Sequence, residues 1–220
     1  LMNPLTILTD SLYFFRRNLA SILTLCLPLV ILEALAKQVL SNALPGNASS
    51  AYELLVGLLF YPLYTGALIL FLDARSRGEQ PAARNLLAMA LRMWPTFAVM
   101  SALSTLLIMF GLSLFFIPGI WVMVKLVFSE YLLVLRGLTP LNAMRGSFAM
   151  TNGHFVRILA CVLCIYIPLS LLEGVAVYLL DPQNVGVSFL IDTASSFLQL
   201  FTSVVMFRLF MLINEPAQPE

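Results

Sequence analysis

Residues 116–157 read FIPGIWVMVKLVFSEYLLVLRGLTPLNAMRGSFAMTNGHFVR, and this stretch decides what kind of protein the chain is. Pro118-Gly119 predicts a tight break. The apolar run after it carries Lys125 and Glu130 in its interior and stops at Arg136-Gly137. Thr139-Pro140 then opens a short helix, Thr as cap and Pro in the first turn. Its polar positions are Asn142, Arg145 and Asn152. The stretch predicts a turn outside a membrane, a crossing, and a helix lying on the inner surface. None of this names an activity.

The rest of the chain agrees. Of its 220 residues 60% are hydrophobic and 10% charged, against about 25% charged in soluble domains, and the mean hydropathy is +0.95. A formal net charge of +1 offers no basic surface for nucleic acid. Cys26, Cys161 and Cys164 lie inside apolar runs, where a thiol behaves as a small hydrophobe. Cys161 and Cys164 match C-x-x-C, but a redox pair needs thiolates and access that a lipid-embedded helix denies. Leu1 precedes Met2, so the native start is expected at Met2. Arg16-Arg17 resembles a twin-arginine signal. The amphipathic segment before it, and Glu33 and Lys37 after it, favour a retained first crossing.

A membrane helix needs about 20 apolar residues. Runs of that kind cover Leu19–Leu40, Tyr52–Leu72, Pro95–Phe116, Gly119–Leu135, Phe155–Leu180 and Val187–Ile213. Residues 4–17 precede them as an amphipathic helix with Leu5, Leu8, Leu12 and Phe15 on one face. In the second surface helix, 140–152, the expected buried stripe is Leu141, Met144 and Phe148. Arginines alternate between the connections. Segment 73–94 holds Arg75, Arg77, Arg84 and Arg92, and 136–157 holds Arg136, Arg145 and Arg157, while 41–51 has no charge and 181–186 only Asp181. Positive loops stay in the cytoplasm, so both termini are expected inside.

Laid on itself with a shift of 140, the chain matches Arg17, Pro28, Leu29, Leu32 and Glu33 to Arg157, Pro168, Leu169, Leu172 and Glu173. A shift of 59 aligns Arg77, Gly78 and Pro81 with Arg136, Gly137 and Pro140. The expectation is an all-α integral membrane fold over 1–220, a single domain with internal repeats 4–73, 78–136 and 137–213. Each repeat would be a cytoplasmic-surface amphipathic helix followed by a hairpin of two transmembrane helices, six crossings in all. The Ile-Pro-Gly-Ile run at 117–120, Ala143–Phe148 and the closing Phe207–Ile213 resemble the YciC-type family of bacterial inner-membrane proteins. The resemblance implies a multi-pass protein of the bacterial inner (plasma) membrane and carries over no catalytic or binding residue.

Chemistry is therefore sought among ionisable groups inside the crossings, each costing roughly 2.5–3.5 kcal/mol at a helix centre unless it meets a partner or cavity. By helix rise, Glu33, Glu173 and Lys125 lie about 6, 9 and 3 Å outward of their midpoints. One lysine could thus face two carboxylates. Lys37 is placed to pair with Glu33 at i, i+4. Glu130 and Arg208 fall in the inner half, where Arg208 could reach Glu130 or snorkel to the surface. Pro28 and Pro168 precede their glutamates and free the carbonyls of Thr24 and Cys164, so each is a candidate kink. These residues are either structural ion pairs or the lining of a hydrated pocket. His154 stands alone, and no metal spacing, phosphate loop or nucleophile elbow accompanies it. No cofactor or metal is expected, membrane lipids are the expected partners, and two readings remain. One is a non-enzymatic protein that binds or passes a small molecule or lipid. The other is a scaffold or accessory subunit.

Overall fold

The computed structural model describes residues 3–44, 46–180 and 183–214. Leu1, Met2 and Asp181, which enter the sequence reading, lie outside them. The described residues form α1 (Pro4–Arg17), α2 (Leu19–Ala43), α3 (Gly46–Ser76), α4 (Ala83–Leu114), α5 (Phe116–Leu126), α6 (Ser129–Arg136), α7 (Pro140–Met150), α8 (Phe155–Leu179) and α9 (Val185–Asn214), with no strand among them. Six segments are long and apolar enough to cross a bilayer: α2, α3, α4, α5 with α6, α8 and α9. A multi-pass membrane protein is the direct reading.

α3 is the central helix. Ala67, Leu68 and Ile69 are consecutive and all fully buried, so no face of this turn is left for lipid. It packs on α2, α4, α6 and α9. Lipid tails are as apolar as leucine, so close packing rather than escape from water holds such helices together. Small residues make that packing possible. Gly66 faces Ala90 and Phe97 of α4, and Gly111 of α4 lies against Gly119 of α5.

Several boundaries differ from the sequence reading. The uncharged segment 41–51 is almost wholly helical, because α2 runs to Ala43 and α3 begins at Gly46. The turn expected at 117–118 falls instead on Phe115, a single extended residue with φ −160° and ψ 157°. Pro118 then sits in the first turn of α5, where its missing N–H leaves no helical bond unmade. α4 runs unbroken through Pro95 for 32 residues, so the middle unit has no separate helix before its crossing. The fourth crossing is interrupted: α5 stops at Leu126, Val127 and Phe128 form a turn, and α6 resumes at Ser129.

The short helices α1 and α7 bury part of each expected stripe, Phe15 in α1 and Met144 in α7, but turn other members of it outward. α1 packs its Ile7, Ser11 and Phe15 inward, while Leu5 and Leu12 are exposed. Phe15 meets Phe197 and Phe201 of α9 at ring-centroid distances of 5.9 and 5.6 Å. α7 buries Ala143, Met144 and Ser147, with Leu141 exposed. Thr139 caps α7 by position without a side-chain hydrogen bond. In both helices the face chosen is the one that meets protein, a choice that hydrophobicity alone does not make.

Candidate functional site

Two polar spaces lie one beyond the other in the bundle. The first is a cleft of about 440 Å³ between α2, α3, α8 and α9, toward the end of the bundle that lacks arginines. Glu33, Glu53, Glu173 and Asp192 line it, with Lys37 as the cation among its lining residues. Glu33 is 5% exposed. Its Oε1 accepts from Lys37 Nζ at 2.6 Å, one turn along α2 as the i, i+4 spacing implies. Its Oε2 is buried, and the Tyr64 hydroxyl stands beside the same carboxylate as a second hydrogen-bonding neighbour. Asp192 lies within electrostatic reach of Lys37, Glu173 and Glu53.

The second space, of about 220 Å³, sits at the break between α5 and α6. Here Tyr61 donates to Glu130 Oε1 at 2.7 Å. Tyr64, Tyr131 and Tyr166 join the wall, so Glu130 is surrounded by hydroxyls rather than cations. The break itself is held by side chains. Ser147 Oγ accepts from Phe128 N–H at 3.1 Å and donates to the Lys125 carbonyl at 2.6 Å. Ser129 Oγ donates to the Leu126 carbonyl. Backbone groups freed inside a bilayer need such substitutes, and here α7 supplies one of them.

Ser196 and Gln199 of α9 line both spaces. An apolar groove of about 260 Å³ between α8 and α9 adjoins the cleft and shares Glu173, Ser195 and Gln199 with it.

The polar residues singled out in the sequence thus separate into four places. Glu33, Lys37 and Glu173 share the cleft, while Glu130 stands in the second space. Lys125 joins neither carboxylate proposed for it. It is 8% exposed, donates to Asn152 Oδ1 at 2.7 Å and lies 5.8 Å from the centre of the Trp121 ring. The side chain is buried within the protein, but its direction around the helix was not legible. The end of α7 brings Asn152 to the side it faces. Arg208 reaches Asp10 of α1 at 3.7 Å instead of Glu130, because α1 packs along α9.

Pro28 and Pro168 leave α2 and α8 continuous. Interior prolines also occur at Pro62 and Pro95, so they do not single out the glutamate-bearing helices. In α3 the Leu59 carbonyl, three residues before Pro62, accepts from the Trp94 indole at 2.8 Å. Glu53 and Asp192 escaped the sequence reading. Each lies within a segment of crossing length, and that position was the signal available. His154 caps α8 by position and is not among the residues lining either polar space.

No family model matches the chain, and no solved structure matches it. Over 170 residues it is 26% identical to a "UPF0259 membrane protein" of Yersinia pestis (strain Pestoides F), and equally to one of Yersinia pseudotuberculosis serotype O:3 (strain YPIII). The match takes in 76% of this chain and 64% of each relative, so the chain spans about two-thirds of their length. It is similar to bacterial membrane proteins whose names state a location and no activity.

Proposed function

We propose that this chain is a non-enzymatic, multi-pass protein of the bacterial inner membrane, related to the YciC-type family. In this reading it binds or passes a small molecule or lipid within its helix bundle, both termini are cytoplasmic, and the arginine-poor end faces outward. Lipids surround it as partners, and α1 and α7 belong to its cytoplasmic side. The observation that carries the reading is that Ser196 and Gln199 line both polar spaces, so the acid-lined cleft and the space at Glu130 adjoin, and the reading joins them into one polar lane. Polar groups held inside a membrane mark substrate and ion pathways, since close apolar packing would be the cheaper alternative.

A second reading, a scaffold or accessory subunit with structural ion pairs, is favoured by the closed contact of Glu33 with Lys37. Single cysteines at Ser196 and Gln199, with Cys26, Cys161 and Cys164 replaced, separate the two. A lane predicts that a hydrophilic methanethiosulfonate reagent labels both positions, while a cysteine at Leu68, fully buried in α3, stays unlabelled. Silence at both positions would leave the scaffold reading.

A further inference from the structure

We propose that the space at the break between α5 and α6 is a binding site for one alkali-metal cation, held between the Glu130 carboxylate and the neutral oxygens around it. The inference rests on the reading that the bundle binds a small solute, and it names the solute of the inner space.

Charge comes first. Glu130 is the acid in the wall of this space, and no Lys, Arg or His lines it among the described residues. Lys125, five positions earlier, turns away to Asn152. Tyr61 donates to Glu130 Oε1. Oε2 takes no hydrogen bond among the described residues, and unlike Glu33 Oε2 it is not sealed in protein, so it stands open to the space. The start of α6 offers this carboxylate about half an elementary charge at most. A carboxylate inside a membrane without a full counter-charge is costly, and such groups mark ion sites.

The wall around it has acceptors to spare and few donors. Tyr61 has given its proton to Glu130, Tyr131 to the Ser203 carbonyl at 2.7 Å, and Ser129 to the Leu126 carbonyl. Tyr64 turns its hydroxyl to Glu33. A hydroxyl has one proton and two lone pairs, so each of these oxygens can still accept and can no longer donate. Such a wall suits a ligand that takes lone pairs from any direction.

The break adds a backbone oxygen. A continuous helix would send the Val127 N–H to Met123, but that N–H bonds the Val124 carbonyl instead. Met123, in the wall of the space, thus keeps a carbonyl without its regular donor. Serines meet the Lys125 and Leu126 carbonyls; the carbonyl of Met123 is the one turned over to a ligand. The C-terminal ends of interrupted membrane helices favour cations for this reason.

One carboxylate balances one positive charge. A divalent ion would leave an excess, and among the described residues no three His, Cys, Asp or Glu are grouped to hold one. The space of about 220 Å³ has room for the ion and several waters of about 30 Å³ each.

The test uses the purified full chain in phosphatidylcholine nanodiscs at pH 8, with N-methylglucamine chloride keeping ionic strength constant. Radioactive ²²Na⁺ should bind saturably, with about one ion per chain, and unlabelled Na⁺ should displace it while Mg²⁺ and methylammonium at the same concentration do not. Glu130→Gln should weaken binding at least tenfold and should melt no lower than the parent chain in sodium-free buffer, since it removes an unbalanced charge. Tyr61→Phe, which keeps the carboxylate, should weaken binding severalfold. Glu173→Gln, at an exposed position in the acid-lined cleft, should leave it unchanged.

Absence of saturable binding would mean that a proton alone neutralises Glu130, and the proposal would fall. Indifference to both Glu130→Gln and Tyr61→Phe, loss of binding in Glu173→Gln, or equal displacement by Mg²⁺ or methylammonium would overturn it as well. The lane is judged separately. Labelled cysteines at Ser196 and Gln199 with no ²²Na⁺ binding would retain the lane and remove the ion. Binding of ²²Na⁺ with those cysteines silent would retain the ion site and close the lane.

Discussion

At position 147 one hydroxyl serves both sides of a helix break, accepting from Phe128 N–H and donating to the Lys125 carbonyl. Ser147 is fully buried, so water cannot take its place. Ser147→Ala should therefore leave two backbone groups unmet and lower stability by about 1–3 kcal/mol, read as a fall in melting temperature in detergent. Ser147→Thr keeps the hydroxyl and should recover part of that loss. Lys125 gives a second residue-scale prediction. Its observed partners are Asn152 and Trp121. A double-mutant cycle of Lys125→Met with Asn152→Leu should show coupling of about 0.5–3 kcal/mol, whereas Lys125→Met with Glu33→Gln should be additive within about 0.5 kcal/mol. Coupling to Glu33 would mean that lysine and carboxylate meet after all. The sequence placed Lys125 in the membrane and could not say which neighbour it faced, since that neighbour lies 27 positions on.

Among elements, the tightest fit is between α4 and α5. A Cβ at Gly111 would come within 3.0 Å of Gly119 Cα, and one at Gly119 within 2.9 Å of Leu112 N. Both contacts are to backbone, so neither can be relieved by turning a side chain. Gly119→Ala should push α5 off α4 and destabilise by about 1–3 kcal/mol, as overpacking does. A thermal-shift series can set this loss beside that of Gly174→Ala, where a Cβ meets open space. Equal melting temperatures for the two variants would show that the close approach is not needed. The Pro118-Gly119 pair was legible as a break. The structure assigns the two residues different tasks, Pro to the first turn of α5 and Gly to the approach of two backbones.

At the scale of the whole molecule, arginine distribution remains the guide to orientation. Arg75 at the end of α3 makes two hydrogen bonds to Asn18 Oδ1, at 3.0 and 2.8 Å, and so ties the α1–α2 junction to the foot of the central helix. Arg136 reaches Asn214 at 3.0 Å. Arginine thus marks one end of the bundle. If that end is cytoplasmic, an impermeant thiol reagent added to intact cells should label Ser50→Cys, near the start of α3, and spare Ser76→Cys at its end, on a background without the native cysteines. The reverse pattern would invert the protein, and with it the side from which the acid-lined cleft is reached.

Hydropathy is a sum over neighbours in the chain, and this is why the sequence alone was enough for the number and rough bounds of the crossing segments. It also picked out Glu33, Lys125 and Glu130, because an ionisable residue within a long apolar run is conspicuous wherever the helix faces, although Glu53 and Asp192, nearer the ends of their runs, were passed over. The i, i+4 pairing of Lys37 with Glu33 was legible for the same reason, being contained in one turn of one helix. What tertiary structure alone decided is everything that depends on azimuth. Helix rise gives depth, a single coordinate, and depth put Lys125 opposite Glu33 and Glu173. The direction of each side chain, and the helix standing there to meet it, came from contacts between distant parts of the chain. The break at Val127-Phe128 belongs to this class too, since neither residue is a helix breaker and the serine that stabilises the break comes from α7. So does the convergence of Glu53 and Asp192 with Glu33 and Glu173, which four different helices must pack together to create.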